Sequence, residues 1–206
     1  MVLGAAEQLI RIGRRFDARG WVRGTSGNFS VVVEARPLRL AITRSGTQKG
    51  ELTADDILEV GEAGTTLAGT GAPSAETLLH LEIIKARAAA AVMHTHSIWG
   101  TALSDRCAAQ GGVAIEGYEM LKGLAGVTTH EHREWIPVLE NDQDMTRLAA
   151  RVRTTLQERP DCHAFLLRRH GLYTWGATVP EAVRHVEIVE FLLESVGRKE
   201  AAPWPS

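Results

Sequence analysis

The sequence predicts an α/β layered domain, and three observations carry that prediction. Helix-like and strand-like segments interleave along the whole chain, a pattern that layers helices against a sheet. No Pro/Gly/Ser-rich linker, internal repeat or low-complexity stretch divides it. At 206 residues the chain is comfortable for one domain and short for two. Strand order is not legible from these features.

The elements follow in order. Ala6, Leu9, Ile10, Gly13 and Phe16 recur at helical spacing, so the N-terminal stretch reads as an amphipathic helix. It lacks the uninterrupted apolar run of a targeting segment, and Glu7 and Asp17 do not suit a transit peptide. "GTSGNFSVVVE" is a turn leading into a β-branched strand, and "LRLAITRSG" alternates Leu38, Leu40 and Ile42 as a half-buried strand. "DDILEVG" is a further short strand. "PSAETLLHLEIIKAR" predicts a helix with Ser74 as N-cap and Glu76 in its first turn. "AAAAVMHTHS" reads as a buried strand and "SIWGTALSDR" as a short helix. "IPVLE" is a strand, and the helix after it is expected to be capped by Asn141 or Asp142. "CHAFLLRRHG" and "LYTWG" are strands meeting at a glycine turn. Thr178 and Glu181 have capping-box spacing at the start of the last helix.

Composition excludes some functions. With a net charge of −2, the chain has no global attraction for nucleic acid or an anionic membrane, so an anion must be caught locally. No apolar run approaches the roughly 18–20 residues that span a bilayer. Cys107 and Cys162 lie far apart without CxxC spacing, which suits a reduced, cytoplasmic protein better than a disulfide scaffold.

Eight histidines must be sorted by context. His94 and His96 end the buried strand "VMHTH", and strand alternation aims both side chains to one side. Two readings fit: a hydrogen-bonded pair at a strand end, or two ligands of one ion. His170 repeats the context, closing an apolar strand before a glycine. Two close ligands and a distant third are the arrangement of open zinc sites, which keep a position for water or substrate. His130 and His132 share the HxH spacing but sit in a polar segment with nothing to hold them rigid. His80, His163 and His185 read as packed or surface residues.

Three turns, "GTSGN" at 24–28, "TRSG" at 43–46 and "APSAE" at 72–76, mix hydroxyls with glycine or a helix start. Converging N–H and hydroxyl groups of this kind bind anions, although each alone is an ordinary turn. Two acids stand out. Glu76 opens a helix beside one of these turns, where the helix dipole favours a carboxylate. Glu119, in "GYEMLKGLAG", would serve as a general acid/base if buried near a metal. The residues alone favour a solvated strand-end glutamate.

Taken in order, "GTSGNFS", "TRSGTQKG", "PSAET", "HTHS" and "RRHGLYTWG" resemble the class II aldolase/epimerase family over nearly the whole chain. The resemblance implies a single three-layer α/β/α domain over residues 1–206, its core near 4–197, with a central mixed, mostly antiparallel sheet. It implies one zinc ion per subunit on His94, His96 and His170. Phosphate contacts fall on Thr25, Asn28, Ser45, Gly46 and Ser74, with Lys49 and Lys122 as secondary candidates that otherwise read as solvated lysines. A homotetramer with active sites at subunit interfaces is implied, acting on a sugar phosphate. "YEMLKGLAG" points to the family's dehydratase branch, with Glu119 as acid/base. The implied activity is dehydration of 5-methylthioribulose 1-phosphate in methionine salvage. Glu76 matches the acid/base or displaceable zinc ligand of the aldolases, so a sugar-phosphate aldolase or pentulose-phosphate 4-epimerase is the alternative. A non-enzymatic module like the adducin head lacks the zinc histidines present here.

Overall fold

The computed structural model describes residues 2–201, and the side chains of 4–199. Nine strands are found among them: β1 (Asn28–Ala35), β2 (Leu38–Thr43), β3 (Ile57–Gly61), β4 (Thr66–Ala68), β5 (Ala91–Thr95), β6 (Gly112–Glu116), β7 (Arg133–Leu139), β8 (Ala164–Leu167) and β9 (Gly171–Gly176). They form one sheet in the order β4-β3-β2-β1-β5-β9-β8-β7-β6. Every pairing is antiparallel except β7 with β8. The sheet is therefore mixed and mostly antiparallel, as expected.

Five α-helices cover its two faces: α1 (Val2–Asp17), α2 (Thr77–Arg87), α3 (Ile98–Arg106), α4 (Met145–Glu158) and α5 (Val179–Ala201). On one face α2 and α4 bury Leu79, Ile83, Leu148 and Val152 against Leu40, Ile42, Val92 and Tyr173. On the other, α1 packs Leu9, Ile12 and Phe16 on Phe29 and Met93, while α3 and α5 pack on Leu166 and Leu172. Covering both faces explains why β2 is buried beyond its alternating residues, with Ala41 fully enclosed. It also makes β5 an internal strand whose successive side chains enter opposite layers. Val92 joins the α2/α4 layer and Met93 the α1 layer, so His94 returns to the α2 side.

Local chemistry moves some boundaries. The cap of α2 lies two residues after the expected one: Glu76 is its N-cap, and Ser74 sits in the turn before, its hydroxyl accepting from the Glu76 N–H at 3.3 Å. Asp144, rather than Asn141 or Asp142, caps α4 by accepting from the Arg147 N–H. Asp142 is drawn instead to the guanidinium groups of Arg147 and Arg151. Thr178 accepts from the Glu181 N–H as its spacing predicts, but the Glu181 carboxylate turns to the Ala177 N–H. Strands β4 and β6 lie at the two sheet edges, where β4 is wholly exposed and leaves little hydrophobic pattern.

Candidate active site

Strand β5 and the turn between β8 and β9 bring three imidazoles together. His94 is the penultimate residue of β5, paired with β9, and its ring stacks on Tyr173 with centroids 4.0 Å apart. His96 follows the strand, its backbone N–H held by the Trp21 carbonyl. His170 ends a tight turn in which Arg169 adopts a left-handed φ of 55°. The Ser104 hydroxyl accepts from the Arg169 N–H, and the Thr101 hydroxyl donates to the His170 carbonyl. A non-glycine residue at positive φ is strained and persists only where neighbours hold it. Gly171 is required for a second reason. A Cβ there would run into the Thr95 carbonyl, so only glycine lets β9 start this close to β5.

The three ring nitrogens face one another. His94 Nε2 lies 2.8 Å from His96 Nε2 and 3.3 Å from His170 Nε2. His94 Nδ1 donates to the Leu172 carbonyl at 2.9 Å, which leaves its Nε2 as a bare lone pair. Burial lowers His94 to about 4, and burial together with the neighbouring imidazoles lowers His96 to about 3. Both rings are neutral at physiological pH. His94 Nε2 therefore turns a lone pair toward its two neighbours, where it accepts an N–H from one of them or binds a cation. Tetrahedral zinc–nitrogen bonds of about 2.0–2.1 Å place ligand nitrogens about 3.3 Å apart, close to the spacing found here. The carbonyl bond at His94 Nδ1 is the outer-shell contact that fixes a metal-binding imidazole. The residues present fit a divalent ion.

Glu76, at the start of α2, supplies the negative charge. Its Oε1 is 3.1 Å from His170 Nε2 and its Oε2 is 3.6 Å from His94 Nε2. Burial works to raise this carboxyl, but the facing imidazoles and the Asn28 amide outweigh it and hold the group ionised. Asn28 Nδ2 donates to Glu76 Oε2 at 2.6 Å, so its Oδ1 is left to accept from His80 Nε2. His80 Nδ1 must then accept from the Ser30 hydroxyl at 2.8 Å. This buried chain, Ser30 to His80 to Asn28 to Glu76, locks the carboxylate toward the histidines. Sequence reasoning left His80 as a packed residue, yet its place four residues after Glu76 on one helical face was a usable signal.

The polar turns meet beside this cluster. A cavity of about 130 Å³ is lined by Thr25, Asn28, Ser45, Gly46 and Ser74, together with Lys49, Glu76 and His96. All five predicted anion contacts thus adjoin the histidines. Lys49 departs from the solvated lysine its sequence context suggested. It is 1% exposed, and its Nζ donates to the Thr25 and Thr47 carbonyls at 3.0 and 2.6 Å. Burial lowers it to about 8, against the pull of Asp56. A wider opening over His96 and His170 is flanked by Arg23, Ser26, Thr101 and Arg169, none of which sequence reasoning singled out.

Glu119 and Lys122 are not brought into this cavity by their own chain. Both lie on an exposed 3-10 turn, Glu119–Gly123, where Lys122 Nζ donates to Glu119 Oε1 at 2.7 Å. The Glu119 side chain is 74% exposed, and the Lys122 hydrogen bond lowers its carboxyl. Nor do His130 and His132 act as a pair. His130 faces Glu119, while His132 turns toward Glu134 and His163.

The profile of the family described as Class II Aldolase and Adducin N-terminal domain matches residues 7–196 of this sequence. The chain belongs to this family. Among its relatives is a methylthioribulose-1-phosphate dehydratase of Pseudomonas fluorescens (strain Pf0-1). The two are 44% identical over 190 residues, spanning 92% of this chain and 90% of the relative. A protein of the same name from Pseudomonas aeruginosa (strain LESB58) is 44% identical over 91% of each chain. The solved L-fuculose-1-phosphate aldolase of Thermus thermophilus is 25% identical, with a TM-score of 0.77 over 98% of this chain and 97% of that one. The sugar-phosphate aldolase of Thermotoga maritima shares the fold at 18% identity, with a TM-score of 0.75 over 98% and 97% of the two chains. Among the described residues no helix is long and apolar enough to cross a membrane.

Proposed function

We propose that this class II aldolase-family chain is a hydro-lyase. It converts 5-methylthioribulose 1-phosphate to 2,3-diketo-5-methylthiopentyl 1-phosphate with loss of one water, as a cytoplasmic step of methionine salvage. The observation that carries the reading is the shared cavity: His96 and Glu76 line the same space as the hydroxyl-rich turns, so a cation centre and an anion seat adjoin. A ketose phosphate presents both matching groups, a carbonyl with its neighbouring hydroxyl at one end and a phosphate at the other. The names of the relatives support the dehydratase over the other family reactions.

His94, His96 and His170 hold the ion, which we take to be zinc at one per subunit. When bound it supplies Lewis acidity at the substrate carbonyl, making the proton on carbon 3 easier to remove. Asn28 and His80 keep Glu76 turned toward the imidazoles, where its charge balances the cation. Ser45, Gly46, Ser74, Thr25 and Lys49 receive the phosphate, whereas Asn28, the fifth expected contact, borders the seat with its amide engaged by Glu76 and His80. Neutral donors and one buried ammonium suffice for a dianion in a chain of net charge −2. Glu119 takes the carbon 3 proton and returns one to the hydroxyl departing from carbon 4, after which the enol tautomerises to the diketone. Glu119 is exposed on its own chain, and we assign it to the cavity of a neighbouring subunit in the homotetramer that the family resemblance implies.

One observation favours a second reading. Glu76 is the carboxylate that touches the histidine cluster within a single chain, which suits an aldolase or 4-epimerase using it as acid/base. Product analysis separates the two. Water loss and a diketone from methylthioribulose 1-phosphate support the dehydratase, whereas carbon–carbon cleavage or an epimer without diketone refutes it.

A further inference from the structure

A second group of metal-ligating side chains lies at the start of β7, apart from the three-histidine centre. His132 Nε2 is 2.8 Å from Glu134 Oε2, and His163 Nδ1 is 3.0 Å from that same oxygen. Their ligand atoms all fall within 4.8 Å of one another. Glu134 is 1% exposed, and both imidazoles line a cavity of about 440 Å³ that shares no residue with the candidate active site.

We propose that His132, Glu134 and His163 form a second site for a divalent transition-metal ion, with its remaining coordination positions facing this cavity. Two imidazoles and a carboxylate are a donor set that zinc, cobalt or nickel accepts. The outer contacts are also in place. His163 Nε2 donates to the Ala125 carbonyl at 2.8 Å, which reserves Nδ1 for the ion, just as the Leu172 carbonyl reserves His94 Nε2. The His163 N–H donates to Glu134 Oε1 at 3.0 Å and so aims Oε2 at His132. Without the ion, protons on His163 Nδ1 and His132 Nε2 bridge to the carboxylate. On ion entry the first is released to solvent, and the second moves to His132 Nδ1. Hydrogen bonds satisfy the metal-free cluster, so the fold does not depend on the ion, and variants can be compared as folded proteins.

Equilibrium dialysis of the metal-stripped full chain against zinc, with zinc counted by mass spectrometry, tests the proposal. The wild type is expected to hold two ions per chain, and His94→Ala and His132→Ala one each. The double variant should hold none, and His130→Ala, a neighbouring exposed histidine, should keep two. Because the two single variants remove different ions, failure of this site is distinguishable from failure of the three-histidine one. His132→Gln, which keeps a hydrogen bond to Glu134, replaces the alanine variant if that does not fold. Loss of all zinc in His94→Ala overturns the proposal, as does a second ion that both His132 variants leave in place.

Discussion

Replacing Lys49 with methionine should strike phosphate recognition while sparing the metal centre. Lys49 is almost fully buried and lines the cavity, and two of its three ammonium N–H groups are bonded to backbone carbonyls, which leaves the third for an anion. A hydrogen bond to a charged group contributes about 1.5–3 kcal/mol, and each 1.4 kcal/mol is about tenfold in affinity. Lys49→Met should therefore raise KM for the phosphorylated substrate about 10- to 100-fold, with a smaller change in kcat. The pH dependence is the sharper test. Burial lowers Lys49 to about 8, so its charge is present at neutral pH and lost above that value. Wild-type kcat/KM should fall as pH rises through 8, and the variant should lack this limb. A bound phosphate holds the proton on, so the saturated enzyme should show the limb at higher pH. The linked stability effect has a definite sign. The folded-state value lies below the ordinary 10.5, so the ligand-free protein should gain stability as pH rises from about 8 toward 10.5. Steady-state kinetics from pH 6.5 to 9.5, with inorganic phosphate as competitive inhibitor, provide the readout. An unchanged KM in Lys49→Met, or an alkaline limb that survives the substitution, refutes the assignment.

Other outcomes follow from the same geometry. His94→Ala should abolish turnover and remove the active-site ion, because three protein donors are the fewest that hold an open zinc site; a metal-replete, active variant contradicts this. Glu119→Gln should retain metal and melting temperature while losing about 10²- to 10⁴-fold in rate, the usual worth of a general acid/base. Near-normal turnover would transfer that role to Glu76. Gly171→Ala forces a methyl group into the Thr95 carbonyl and should cost about 1–3 kcal/mol by overpacking, read by urea denaturation, and should weaken metal binding. Wild-type stability in that variant would mean that β5 and β9 do not pack this closely.

Legibility differed from residue to residue, for physical reasons. The cluster of His94, His96 and His170 could be found because strand alternation and a following glycine are local signals, and both survive folding intact. The phosphate turns were weaker individually, since Gly/Ser/Thr clusters mark any turn. Only the sheet order, which sets β1 between β2 and β5, shows that they converge. Lys49 was misread because its burial comes from α1 and the 24–28 turn closing over it, contacts distant in sequence. His132 looked mobile because its segment is polar, but Glu134 is carried inward by β7 and takes the histidine with it. Glu119 was found by resemblance alone, and its own chain leaves it exposed. Helix starts shifted where Asp142 was drawn to two guanidinium groups and where the Ser74 hydroxyl bonded the Glu76 N–H, one turn-residue short of the helix.

The most direct test is a product assay of the metal-replete chain on 5-methylthioribulose 1-phosphate and, in parallel, fuculose 1-phosphate. Diketone should form from the first, dependent on His94 and Glu119, with no cleavage of the second. Aldol cleavage of fuculose 1-phosphate, with methylthioribulose 1-phosphate left unchanged, would contradict the dehydratase reading.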